Sequence, residues 1–176
     1  MSGNKTYGLF GKIEKVCHTK SICKNIKIEK IKGHYNKELK IPDFQRELDE
    51  IKVQEMFNTM NKCKESLIIF SNKVNPIQIA TIEVENKKYK HLVIDGQHRL
   101  KALTMLSDEY DDVIFSFHLQ ICENEADAIE KFKECIIGQE NYHLWSVDNL
   151  HMHFRDSKIY QLKLELKKNR LSVYRR

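Results

Sequence analysis

The run His91-Leu92-Val93-Ile94-Asp95-Gly96-Gln97-His98-Arg99-Leu100 constrains the fold more than any other stretch. An apolar segment ends in an acidic residue and a glycine, and a helical pattern begins at Leu100. This reads as a buried strand feeding a tight turn that opens a helix. Gly96 supplies the backbone freedom for such a turn and for close approach to a ligand. First-turn N–H groups of a helix lack intrahelical partners and lie at the positive end of its dipole, a natural place for phosphate. Arg99 adds a permanently charged planar fork suited to phosphate oxygens.

The chain around this turn is long enough to bury a core. It has 176 residues, 41% hydrophobic and 31% charged with two prolines, which argues against disorder and for one globular domain. No apolar run reaches membrane-spanning length and the N-terminus lacks a signal-peptide core, so a soluble, cytoplasmic protein without membrane contact is expected. The five cysteines are odd in number and irregularly spaced, which does not fit a disulfide framework. Cys17, His18, Cys23, His151 and His153 include no Cys-x-x-Cys pair, so they give little support for zinc.

Charge is divided along the chain. Residues 1–40 carry ten Lys against three Glu, a net +7, and residues 155–176 a net +6, whereas residues 41–154 carry −8. Basic ends can track DNA or another polyanion, although lysine-rich solvated surface gives the same pattern.

Taken in order, residues 1–24 read as a basic lead-in and Asn25–Ile31 as a first strand, with Ile26 and Ile28 alternating with lysine. Gly33-His34-Tyr35-Asn36 reads as a loop. In Ile41-Pro42-Asp43-Phe44-Gln45-Arg46-Glu47, Pro42 excludes a helix interior and Phe44 anchors the segment. A helix then starts at Asp49 or Glu50, with Val53, Met56, Phe57 and Met60 on one face. Leu67–Phe70 is apolar but of undecided type. Ile77–Val84 reads as a strand with a bulge near Ala80-Thr81, followed by a hairpin loop at Asn86-Lys87-Lys88 and a strand from Tyr89 to Asp95. Asp108–Asp112 is an acidic loop. Strict alternation from Val113 to Ile121 predicts a strand. Asn124 and Asp127 cap a helix bearing Ala126, Ile129, Phe132 and Ile136, with Gly138 as its stop. Ile159, Leu162 and Leu166 suggest a final helix, and Trp145 reads as core or a base-stacking group.

The order predicts an α+β fold, a small mixed β-sheet flanked by helices. The expected division is a lead-in at 1–24, a domain at 25–140 and a helical, basic extension at 141–176.

Asp95-Gly96-Gln97-His98-Arg99 resembles the DGQHR-type signature of the ParB/sulfiredoxin-like superfamily, including its "ParB-like nuclease" members. Ile41-Pro42-Asp43-Phe44-Gln45-Arg46 resembles the Pro-x-Phe-Gln-Arg element of the same proteins. The resemblance implies a loop that binds nucleotide phosphates through Gln45, Arg46, Gly96, Gln97, His98 and Arg99. The cofactors implied are a nucleoside triphosphate, ATP or CTP, and Mg²⁺ held by Asp95. Glu47, Asp95 and His98 are the candidate catalytic groups, with Glu47 or His98 as a base. Gln97 stands where sulfiredoxin has a cysteine, which argues against sulfiredoxin chemistry. The expected function is NTP binding and hydrolysis, or phosphotransfer, coupled to a DNA-linked process. The alternatives are a nucleic-acid-binding or nuclease module and a non-catalytic interaction domain. Nucleotide, DNA and a second copy of the chain are the implied partners.

Overall fold

The structure, a computed structural model, describes residues 8–11, 13, 21–84 and 88–137. The chain forms two compact units, Met1–Lys133 and Glu134–Arg176. The account below concerns the first. Of the second, only the residues that end the last described helix are available. Gly138, Trp145, His151, His153 and the helix expected around Leu162 lie outside the described residues, as do Cys17, His18, Asn86 and Lys87.

The elements run β1 (Ser21–Lys27), α1 (Ile28–Glu38), β2 (Leu39–Lys40), α2 (Glu50–Met60), α3 (Lys64–Lys73), β3 (Ile77–Glu83), β4 (Tyr89–Asp95), α4 (Gln97–Thr104), a 3-10 turn (Asp108–Tyr110), β5 (Ile114–Cys122) and α5 (Glu125–Ile137). Five strands form one sheet in the order β1-β5-β3-β4-β2. The β1–β5 and β3–β4 pairs are antiparallel, and β3–β5 and β2–β4 are parallel. The α+β architecture with a mixed sheet is therefore as expected.

The main core joins Ile77, Ile79, Val93, Phe115, Phe117 and Leu119 of the sheet to Ile28 and Ile31 of α1, Val53 and Met60 of α2, Leu67 of α3 and Leu100 and Leu103 of α4. A second buried set, Ala80, Ile82, Leu92, Ile94 and Cys122 with Ala128 and Phe132 of α5, lies outside that cluster. An ion pair from Lys90 to Glu125 ties α5 to β4. Both sets draw on β3 and β4, which explains their near-continuous burial.

Several local expectations change. The first strand ends at Lys27, and Ile28 opens a helix that absorbs Gly33, His34, Tyr35 and Asn36. Its N-cap, Lys27, makes no side-chain cap. The Ile28 and Glu29 N–H groups donate instead to the carbonyls of Val113 (3.0 Å) and Asp111 (3.1 Å), far along the chain. Burial of Ile28 and Ile31 and the Lys32–Asp111 ion pair (2.6 Å) hold the helix despite its glycine.

Leu67–Phe70 is helical, part of α3. The β3–β4 register shift lies between Gln78 and Ile79, not at Ala80-Thr81. The lead-in is not uniformly loose either, because Leu9 and Phe10 are core residues and the Leu9 N–H donates to Glu38 Oε2 (2.7 Å). On α5, Asn124 Oδ1 accepts from the Asp127 N–H (3.0 Å), the expected cap, and Asp127 Oδ2 accepts from the Glu123 N–H (3.2 Å). Its buried face carries Ala128 and Phe132, while Ala126 is exposed. Among the described residues, no helix is long and apolar enough to cross a membrane.

Candidate functional site

β4 carries the chain from the buried residues Leu92, Val93 and Ile94 to Asp95 at its end. Gly96 then takes φ 88° and ψ 17°, the left-handed region, and serves as N-cap of α4. A Cβ at this position would lie 2.9 Å from Arg99 Nη2 and 3.2 Å from Ile77 Cγ1, so a side chain here would strain the left-handed backbone and displace the Arg99 guanidinium. No side chain caps α4 and its first turn holds no acidic residue. The positive end of the helix is thus not neutralised from within.

Gln97 and His98 point inward, 3% and 5% exposed. Both are used on the 42–49 loop. Gln97 Nε2 donates to the Arg46 carbonyl (2.9 Å), and the Asp49 N–H donates to His98 Nε2 (3.0 Å). Gln45 answers from the other side, its Nε2 donating to the Ile94 carbonyl (3.1 Å) while its Oε1 accepts from the Arg46 N–H (3.2 Å). Three cross-links therefore fasten this loop to the strand, turn and helix. Phe44 packs on Phe132, ring centroids 5.1 Å apart, which fixes the loop's far side as expected of an anchor. Asp49 goes on to cap α2, accepting from the Ile51 and Lys52 N–H groups.

His98 does not keep the near-neutral pKa of a free imidazole. Burial, then the charges of Arg46 and Lys52, push it down to about 4, against the weaker opposing pull of Asp49 and Asp95. The imidazole is neutral at pH 7, and the nitrogen that would act as a base already accepts the Asp49 N–H. In this arrangement His98 positions the loop. Gln97 Oε1, by contrast, is buried with no hydrogen-bond partner among the described residues.

Arg99 faces the other way. Its side chain, 11% exposed, pairs with Asp95 (Nη2 to Oδ2 3.2 Å) and donates through Nη1 to the Asn75 carbonyl. Burial lowers its pKa and Asp95 opposes the shift. A guanidinium nevertheless stays protonated, with five N–H donors to distribute. Arg99 lines a cleft of about 540 Å³ between α2 and α3, with Glu55, Met56, Thr59, Phe70, Lys73, Val74 and Asn75.

The turn thus brings together Gln45, Arg46, Asp95, Gly96, Gln97, His98 and Arg99. Glu47 is exposed on the loop, and among the described residues no hydrogen bond ties it to the turn. Sequence reasoning missed Asp49 as the partner of His98, although it had marked the helix start there. It also missed the cleft, since α3 was not recognised as a helix. Cys23 is exposed on β1, and among the described residues no group of three His, Cys, Asp or Glu could hold a metal ion.

No curated protein matches the chain. Among solved structures, the C-terminally truncated chromosome-partitioning protein ParB from Caulobacter crescentus, complexed with CTP-gamma-S, is similar at 13% identity and a TM-score of 0.40, over 79% of this chain and 68% of that one. A family model described as "GmrSD restriction endonuclease, N-terminal domain" matches residues 21–175. That span includes both stretches on which the ParB-like nuclease resemblance rested, 41–46 and 95–99, and it is most of the chain. The chain belongs to the GmrSD restriction endonuclease N-terminal domain family.

Proposed function

We propose that the Gly96 turn binds the phosphates of a nucleoside triphosphate, ATP or CTP, with Mg²⁺, in a module that couples NTP binding and hydrolysis to restriction of DNA in the cytoplasm. One observation carries this reading: a left-handed glycine opens an uncapped helix beside the guanidinium of Arg99, whose side chain is mostly covered. The residues fit such a ligand. The first-turn N–H groups of α4 meet phosphate oxygens, and Arg99 and Arg46 offset their charge. Gln97, His98 and Gln45 keep the loop in place around them. Asp95 is the carboxylate that would hold Mg²⁺, an ion that typically binds through one or two carboxylates together with substrate phosphates. The metal supplies charge neutralisation, and the chain supplies position. Glu47 is the exposed carboxylate from which an attacking water would be activated.

A second reading, a nuclease or DNA-binding module using the same groups on backbone phosphate, is supported by the family's endonuclease description and by the ten lysines of residues 1–40.

A thermal-shift panel of ATP, CTP, GTP and UTP with Mg²⁺ tests the first reading. Stabilisation by a nucleotide without DNA is expected, growing with ligand concentration. Absence of any shift, together with DNA affinity that falls steeply with salt, would replace it with the second.

A further inference from the structure

The cleft between α2 and α3 is not absorbed by phosphate binding, yet Arg99 belongs to both. Its guanidinium holds Asp95 at the turn and the Asn75 carbonyl at the cleft wall. Arg99 thus joins the turn at the start of α4 to this cleft.

The lining of that recess is divided by polarity. Met56, Phe70 and Val74 are half-buried and pack against the main core, which gives an apolar floor. Phe70 is further fixed by its ring contact with Phe115, centroids 6.5 Å apart. Glu55, Thr59 and Lys73 are exposed and form the rim. The Thr59 hydroxyl donates to the Glu55 carbonyl (2.9 Å), which leaves its oxygen as an acceptor toward the cleft. The cleft is open to solvent, and its volume of about 540 Å³ exceeds what an oxyanion alone would need.

A flat apolar group on the floor, hydroxyls at a carboxylate and a threonine, and negative charge toward a lysine and an arginine together describe a nucleoside with its phosphates. We propose that the α2–α3 cleft is the nucleoside pocket of this domain. The base lies on Met56 and Phe70, the ribose hydroxyls donate to Glu55, and Lys73 joins Arg99 at the phosphate end. A carboxylate is the group that accepts from both hydroxyls of a ribose, so the pocket selects ribonucleotides. The inference rests on the reading of the Gly96 turn as a phosphate site.

Calorimetric titration of the full chain separates the two claims. The probes are the four ribonucleoside triphosphates, their 2′,3′-dideoxy forms and inorganic tripolyphosphate, each with Mg²⁺. At least one ribonucleotide is expected to bind about tenfold or more tightly than tripolyphosphate and than its dideoxy form, the loss corresponding to hydrogen bonds to a charged group. Glu55→Gln is expected to erase most of the ribose preference while leaving dideoxynucleotide affinity unchanged. Lys73→Gln should weaken both forms. Both positions are exposed, so folding is preserved, and a thermal melt checks it. Tripolyphosphate binding as tightly as every nucleotide, or Glu55→Gln retaining the full ribose preference, would place the nucleoside elsewhere and overturn the inference while sparing the phosphate site. Binding of neither tripolyphosphate nor any nucleotide would overturn both.

Discussion

The two flanks of one turn are built on different principles. On the loop flank, Gln97 and His98 are nearly inaccessible, and Gln97 Nε2 and His98 Nε2 bond the backbone of residues 46 and 49. On the cleft flank, Gly96 leaves the first turn of α4 uncapped and Arg99 reaches a recess between α2 and α3. A five-residue signature therefore divides its labour. The amide and the imidazole tie the turn to the loop and the arginine ties it to Asn75; in the proposed reading the glycine and the arginine are the groups that meet the ligand. Preorganisation of this kind moves the cost of ordering the loop from binding to folding.

The loop flank should be the acid-labile one, and this is the largest effect expected. Burial pushes His98 and also His91, a core residue hydrogen-bonded to Thr81, down to about 4. Glu38 opposes the shift at His91. An unfolded histidine titrates near 6.5, so between that pH and 4 the unfolded chain binds more protons. Stability from these groups is complete above pH 6.5 and drains as pH falls, with a slope approaching about 1.4 kcal/mol per pH unit for each histidine. Urea denaturation across pH 4 to 8 reads this directly. His98→Gln should remove about half of the slope.

On the cleft flank, Arg99→Ala would leave Asp95 and the Asn75 carbonyl without their partner. A loss of about 2–4 kcal/mol is expected in denaturant melts, at the lower end because Asp95 is partly exposed. Arg99→Lys should recover part of the stability but not the nucleotide response, since it restores charge without the fork.

Gly96→Ala sharpens the comparison further. Its left-handed backbone alone costs about 1–2 kcal/mol, and the new Cβ displaces Arg99. Nucleotide-induced stabilisation should vanish although the loop cross-links are untouched.

Glu47→Gln gives the smallest structural effect. The residue is exposed, and a change within about 0.5 kcal/mol is expected. Hydrolysis measured at saturating nucleotide then isolates any role as a base, because neither folding nor binding should move.

Legibility in the sequence tracked how local each determinant is. Alternation from Val113 to Ile121 marks β5 because its side chains meet one core face, with Phe115, Phe117 and Leu119 buried. The start of α2 was readable from Asp49, which caps its own next residues. The strand, turn and helix at Ile94–Leu100 likewise carry their instructions within a few residues. α1 could not be read so, since Val113 and Asp111 carbonyls cap it from more than eighty positions away. α3 was hidden because Ile68 and Ile69 are exposed, which blurs its apolar face. The candidate site was found as a set of residues, but not its partition. Nothing local tells that Gln97 and His98 face a loop some fifty residues earlier, or that Arg99 faces the recess.

The most direct measurement is calorimetric titration of nucleoside triphosphates with Mg²⁺ into the wild-type chain, His98→Gln and Gly96→Ala. The account predicts binding to the first two and none to Gly96→Ala. Wild-type affinity in Gly96→Ala, or no binding to the wild-type chain, would contradict it.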